Sequence, residues 1–271
     1  MEKEKNSIKT VSVIIIVLLL LFFFVFIFIN RDQLQTNSKS EKEYDLVLIA
    51  DDVIFQKTNN HWNKVTYDNN IRKLVNWKSY KIYTDYKYFG EYNLVKTTNW
   101  LAFDDDRNPI DMDTGVSSFF AYSSNNNFEV KELEIMHNDD LEKVKEILKE
   151  YKIDINYEPV INVYTKVDLD NDGINETIYA ISNMLQEIET EPSFTIFLVE
   201  RNNKLYRLFR VAEDTNLTKL CYPRINAVFD IDNDNENEII MSCTTTGIES
   251  VVTALYKYNS EKDDYEIVIS D

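Results

Sequence analysis

Two acidic segments, one a near copy of the other, constrain this chain more than any other feature. The first runs Asp168-Leu169-Asp170-Asn171-Asp172-Gly173-Ile174-Asn175-Glu176, and the second runs Asp230-Ile231-Asp232-Asn233-Asp234-Asn235-Glu236-Asn237-Glu238. Asp168 matches Asp230, Asp170 matches Asp232, Asp172 matches Asp234 and Glu176 matches Glu238, so the copies stand 62 residues apart. Acids at positions 1, 3, 5 and 9 of a tight loop converge on one point. A hard cation such as Ca²⁺, which takes about six to eight oxygens, needs that arrangement. Without a cation, four carboxylates so close together repel one another strongly. The pattern therefore predicts two calcium loops.

The flanks are apolar and alternating. Val160–Val167 leads into the first loop and Thr177–Ser182 leaves it; Ile225–Phe229 and Ile239–Ser242 do the same for the second. Two further strand-like runs follow each loop: 194–200 and 205–211, then 251–258 and 265–269. Each unit thus reads as about four antiparallel strands, with the acidic loop joining the first two. A four-stranded repeat of this length matches one blade of a propeller. An EF-hand reading fails, because it needs a bidentate Glu at position 12 and flanking helices. Position 12 is Tyr179 in one loop and Met241 in the other.

The D-x-D-x-D-G-x-x-E pattern between strands resembles the FG-GAP/VCBS-type calcium repeats of integrin-like β-propellers, closely over 160–182 and 225–242 and loosely over 155–271. The resemblance implies Ca²⁺ held by the side chains of Asp168, Asp170, Asp172 and Glu176 with the carbonyl of Ile174. In the second loop it implies Asp230, Asp232, Asp234 and Glu238 with the carbonyl of Glu236. Two departures stand out. Position 9 is Glu in both loops, where eukaryotic members usually have Asp. Position 6 is Gly173 in the first but Asn235 in the second. That position is expected to take φ > 0, which Gly adopts freely and Asn at some cost, so the second site is expected to be weaker. Two blades cannot close a ring, so either upstream strands supply degenerate blades or a separate β domain is present.

Residues 11–29 form an uncharged run, VSVIIIVLLLLFFFVFIFI. At about 1.5 Å per residue it spans roughly 29 Å, close to a bilayer's hydrocarbon core. No small-residue cleavage pattern follows, so the run predicts an uncleaved transmembrane signal anchor after a short cytoplasmic tail, 1–10. Lys3, Lys5 and Lys9 before it balance Arg31, Lys39 and Lys42 after it. Charge therefore does not set the orientation. Calcium loops of weak affinity fill outside the cytosol, which places the remainder in an extracytoplasmic, single-pass arrangement at the cell membrane. A polar stalk, 30–43, follows. Residues 44–135 read as a β-rich domain and 136–153 as a linking helix, with Leu141, Val144, Ile147, Leu148 and Tyr151 at helical spacing. The expected fold is therefore mostly β: a transmembrane helix, a β domain, one linking helix, then two blade-like repeats over 154–271.

The net charge of -18 excludes the basic surface that nucleic-acid binding requires. Gly and Pro number only four each, which leaves the turns to Asn and Asp. Cys221 and Cys243, the only cysteines, flank the second loop. Outside the membrane they can pair; otherwise they are small buried apolar groups. Their offsets from the loop centre differ, so pairing needs a bulge or a neighbouring strand. No nucleophile, zinc or phosphate-loop motif is present. Asp104, Asp105, Asp106, Asp111 and Asp113 are the best acids for a surface hydrolase, but they sit around Asn108-Pro109 and read as an exposed turn. The expected role is a membrane-anchored extracytoplasmic binding or structural module, with a protein or glycan as ligand.

Overall fold

The computed structural model describes residues 46–59, 61–65, 74–97, 99–112, 118–183, 194–212, 221–245 and 251–270. Residues 45–271 form one compact unit. Its first eight strands are β1 (Leu46–Ala50), β2 (Val53–Thr58), β3 (His61–Val65), β4 (Lys78–Thr84), β5 (Lys87–Lys96), β6 (Trp100–Phe103), β7 (Pro109–Ile110) and β8 (Phe119–Ser123). They make one antiparallel sheet in the order β3-β2-β1-β8-β4-β5-β6-β7. A short β9 (Met136–His137) and helix α1 (Leu141–Glu150) follow. Then come β10 (Ile161–Val167), β11 (Glu176–Ser182), β12 (Phe194–Arg201) and β13 (Lys204–Ala212), which meander in the order β13-β12-β11-β10-β9. The last four are β14 (Cys221–Phe229), β15 (Glu238–Thr245), β16 (Val251–Asn259) and β17 (Asp264–Ser270), a simple four-stranded meander.

The strands at the centre of the two meanders are apolar on both faces, and a sheet of that kind must be covered twice. In β11, Ile178 and Ala180 point one way and Tyr179 and Ile181 the other; Phe197 and Val199 of β12 alternate with Ile196 and Leu198. The first set packs against Val228, Ile239, Met241 and Tyr256 of the second meander. The other set is covered by Val144, Ile147 and Leu148 of α1. The far face of the second meander, with Ala227, Phe229, Ile240 and Leu255, is covered by Leu48, Phe55, Phe120 and Tyr122 of the eight-stranded sheet. The layers therefore stack as helix, five-stranded sheet, four-stranded sheet, eight-stranded sheet.

This architecture corrects the expected fold. No helix among the described residues is long and apolar enough to cross a membrane; the run 11–29 and the stalk lie outside them. Three stacked sheets, rather than blades arrayed after a β domain, make up the structure. The helix does not link two halves. It lies on the outer face of the first meander, because Val144, Ile147 and Leu148 fit the apolar face that no other sheet covers. Asp140 caps it by accepting the Lys143 N–H at 3.0 Å. At the end of the span expected to be β-rich, 128–135 forms no strand and only one bridge, Val130 to Phe229. There Phe128 spends its ring on Tyr122 and Phe229, at centroid distances of 4.1 and 5.1 Å.

Turns use Asn and Asp as the scarcity of glycine requires. Asp51, Asn59, Asp85, Asn202, Asn203 and Asp263 all adopt positive φ at hairpin tips. Asp51 also ties the first sheet to the last. Its carboxylate accepts from the Asn226 side chain at 2.8 Å, the Ser242 hydroxyl at 3.1 Å and the Phe119 N–H at 3.3 Å. Asn226 reaches it because β14 is bulged between Ile225 and Ala227.

Phe229 carries much of the contact between these two sheets. It is fully buried and stacks on Phe120 and Phe128. Phe229→Ala should cost about 3–5 kcal/mol, read as a fall in urea midpoint. Tyr88→Ala, at a half-exposed ring, should leave the midpoint within about 0.5 kcal/mol.

Candidate metal centre

Both acidic segments fold as the tight loop that joins the first two strands of a meander. Their backbones are pinned by their own acids in the same way. The position-1 carboxylate accepts from the N–H groups of positions 5 and 6: Asp168 from Asp172 (3.1 Å) and Gly173 (2.9 Å), Asp230 from Asp234 (3.2 Å) and Asn235 (2.9 Å). The position-5 carboxylate accepts from position 7: Asp172 from Ile174 (2.7 Å), Asp234 from Glu236 (3.0 Å). The position-9 glutamate reaches back to position 2: Glu176 to the Leu169 N–H (2.7 Å), Glu238 to the Ile231 N–H (2.8 Å). Positions 4 and 6 take positive φ in both: Asn171 and Gly173, Asn233 and Asn235. A methyl group added at Gly173 meets nothing within 4 Å, so only backbone conformation selects glycine there.

In the first loop, oxygens of Asp168, Asp170 and Glu176 lie within 4.8 Å of one another. Oxygens around one calcium ion, each about 2.3–2.6 Å from it, are spaced at or below such a distance. The donor set is wholly oxygen and anionic, so it fits a hard cation. Asp172 is outside this group of three, its carboxylate engaged with the Ile174 N–H. Ile174 has an exposed side chain, and only its carbonyl was a candidate ligand. Burial raises the Glu176 carboxyl above its ordinary range, against the Leu169 N–H, which lowers it.

In the second loop, oxygens of Asp230, Asp232 and Asp234 form the corresponding group. Here a basic side chain enters. The Lys257 ammonium donates to Asp232 at 2.6 Å and Asp234 at 2.7 Å, and pairs with Glu238 Oε1 at 3.1 Å. Glu238 is wholly buried, and burial pushes its carboxyl up to about 7 despite the Ile231 N–H and Lys257. Burial pulls Lys257 the other way, but the carboxylates of Asp232, Asp234 and Glu238 outweigh it and hold the ammonium above its ordinary value. The side chain of Glu236 turns to Arg201 instead of the loop centre.

Arg201 is the first loop's counterpart of Lys257. The ladders β11–β12 and β15–β16 run to Thr177–Glu200 and Ile239–Tyr256. The next residues outward are Glu176 with Arg201 and Glu238 with Lys257. Arg201 takes a different course. It holds both oxygens of Glu236 at 2.8 Å and one oxygen of Asp170 at 2.6 Å, and lies 4.2 Å from the Tyr258 ring. Hydrogen bonding to Glu236 keeps the guanidinium firmly protonated. The two loops are thereby joined side by side. Asn237 strengthens the joint: its N–H donates to the Leu169 carbonyl at 2.7 Å, and its amide to the Asp168 and Leu169 carbonyls. The Asn171 amide donates in turn to the Asn235 carbonyl at 3.0 Å.

Neither basic residue follows from the fixed spacing of the acids, because the connection between second and third strands differs in length between the meanders. Strand register alone aligns them. Cys221 and Cys243 are joined as a disulfide with Cα atoms 5.1 Å apart. The β14 bulge sets Cys243 opposite Pro223, diagonal to Cys221. Among the hydrolase acids, Asp104 is engaged in its own turn, accepting from the Asn108 N–H and amide at 2.7 and 2.9 Å. Asp105, Asp106 and Asp111 are exposed, and Asp113 lies outside the described residues. His137 contacts Glu158 at 3.0 Å. No family model matches the chain, and neither does any curated protein or solved structure.

Asn235→Gly should relieve the left-handed backbone at φ +70 and raise stability by about 0.5–1 kcal/mol, seen as a higher urea midpoint. Arg201→Gln leaves Asp170 and Glu236 unpaired in a half-buried setting and should cost about 3 kcal/mol in the same measurement.

Proposed function

We propose that the chain is a calcium-stabilised binding or structural module that works outside the cytoplasm, its meanders being repeats of the FG-GAP/VCBS type. The observation that carries this reading is the convergence of Asp168, Asp170 and Glu176 in a loop whose backbone those same acids pre-form. The ion would join β10 to β11 and cancel repulsion among the acids. The loop presents no group poised for proton transfer or nucleophilic attack, so the role of the metal is to hold structure. The first loop is open to an ion as it stands; the second takes one only if Lys257 leaves. The disulfide supports an oxidising setting, and extracellular calcium is high enough to fill sites of about 10⁻⁴–10⁻³ M affinity. A protein or glycan partner is part of the proposal.

Calcium at a hundredfold excess over its dissociation constant adds about 2.7 kcal/mol, or roughly 5–10 °C in Tm for a unit of this size. EDTA should remove that gain, and Asp170→Asn should abolish the response to calcium. Identical melting curves in calcium and EDTA would overturn the metal assignment.

A further inference from the structure

The two loops share their letters and their backbone hydrogen bonds, yet their basic partners behave differently. Lys257 donates to Asp232 and Asp234 at 2.6 and 2.7 Å and stands in an ion pair 3.1 Å from Glu238 Oε1. These are three of the four side chains that would ligate a metal there. Arg201, at the matching strand position, touches one oxygen of one candidate ligand. Glu236 and the Tyr258 ring hold it aside. In the first loop, Asp168 and Glu176 are bonded only to backbone N–H groups of the loop itself among the contacts described.

We propose that Lys257 is the resident cation of the second loop, so that the chain takes up one calcium ion, at the first loop, rather than two. This rests on the calcium reading of the first loop. The tethered ammonium needs no recruitment from solution, and its charge sits where a divalent ion would have to enter. Calcium would have to compete with a cation already bonded to its ligands, while keeping that cation within a few ångströms. The second loop is then closed at any calcium concentration that fills the first. Its register with β16 is fixed by a lysine instead of a metal. The matching position at the first loop differs in its partners: Glu236 and the Tyr258 ring hold Arg201 aside, whereas the Lys257 ammonium lies among the acids of its own loop.

The test is a count of bound calcium on the full chain at about 1 mM free calcium, by equilibrium dialysis and native mass spectrometry. Wild type should hold one ion, Lys257→Arg one and Lys257→Met two. The calcium-induced rise in Tm should be larger in Lys257→Met than in wild type. If Lys257→Met does not fold, the double variant Asp232→Asn/Asp234→Asn decides: an unchanged count of one supports the proposal, and any fall overturns it. Two ions in wild type would overturn it while sparing the calcium reading. One ion in Lys257→Met with none in wild type would keep the role of Lys257 and overturn the first loop as a site. No ion in either would overturn both.

Discussion

The two acidic turns, and the joint between them, depend on cancelling negative charge where two strands turn. Glu176 and Glu238 are buried because each must reach the backbone N–H at position 2 of its own loop. That bond closes the turn, and it also draws a carboxylate out of water beside others. Burying a charge costs several kcal/mol unless it is paired. At the second loop Lys257 of the neighbouring strand meets the requirement for Glu238; at the first, Glu176 is held by the Leu169 N–H while Arg201 serves Asp170 and Glu236. The third strand runs back past the loop, so a residue at or near its end stands beside the position-9 glutamate. Arg201 and Lys257 are products of this topology as much as of their own chemistry.

The joint between the loops follows from the same constraint. Arg201 serves acids from both loops, and Asn237 serves carbonyls of the other loop. The equivalent of Asn237 in the first loop, Asn175, is exposed, so the contact is one-sided. Two copies of one motif thus have different neighbours. Sequence identity between repeats does not carry over to identity of environment, and electrostatics depends on environment.

How much of this was legible in the chain can be argued from particular residues. Alternating and continuous apolar runs marked nearly every strand of the two meanders, because burial on one or both faces leaves that trace. The acids marked the loops, and the positive φ at Asn235 followed from Gly173 in the other copy. The stacking of three sheets was not legible: a run such as Glu238–Thr245 shows that both faces are covered but not by what. The helix was placed wrongly between halves because its stripe of Val144, Ile147 and Leu148 says only that it packs on something apolar. Phe128–Ile135 has the composition of a strand, yet its aromatic ring was needed elsewhere. Lys257 was invisible as a partner because its distance from Glu238 along the chain differs from that of Arg201 from Glu176.

Helix α1 has one more implication. It covers the apolar face of the first meander that turns away from the second, that of Tyr179, Ile181, Ile196 and Leu198. Sheets that pack face to face have no intrinsic limit on their number, and a bare face invites another copy to settle on it. A ten-residue helix with a capped start and a polar outer side ends that progression. In this chain α1 therefore closes one side of the stack.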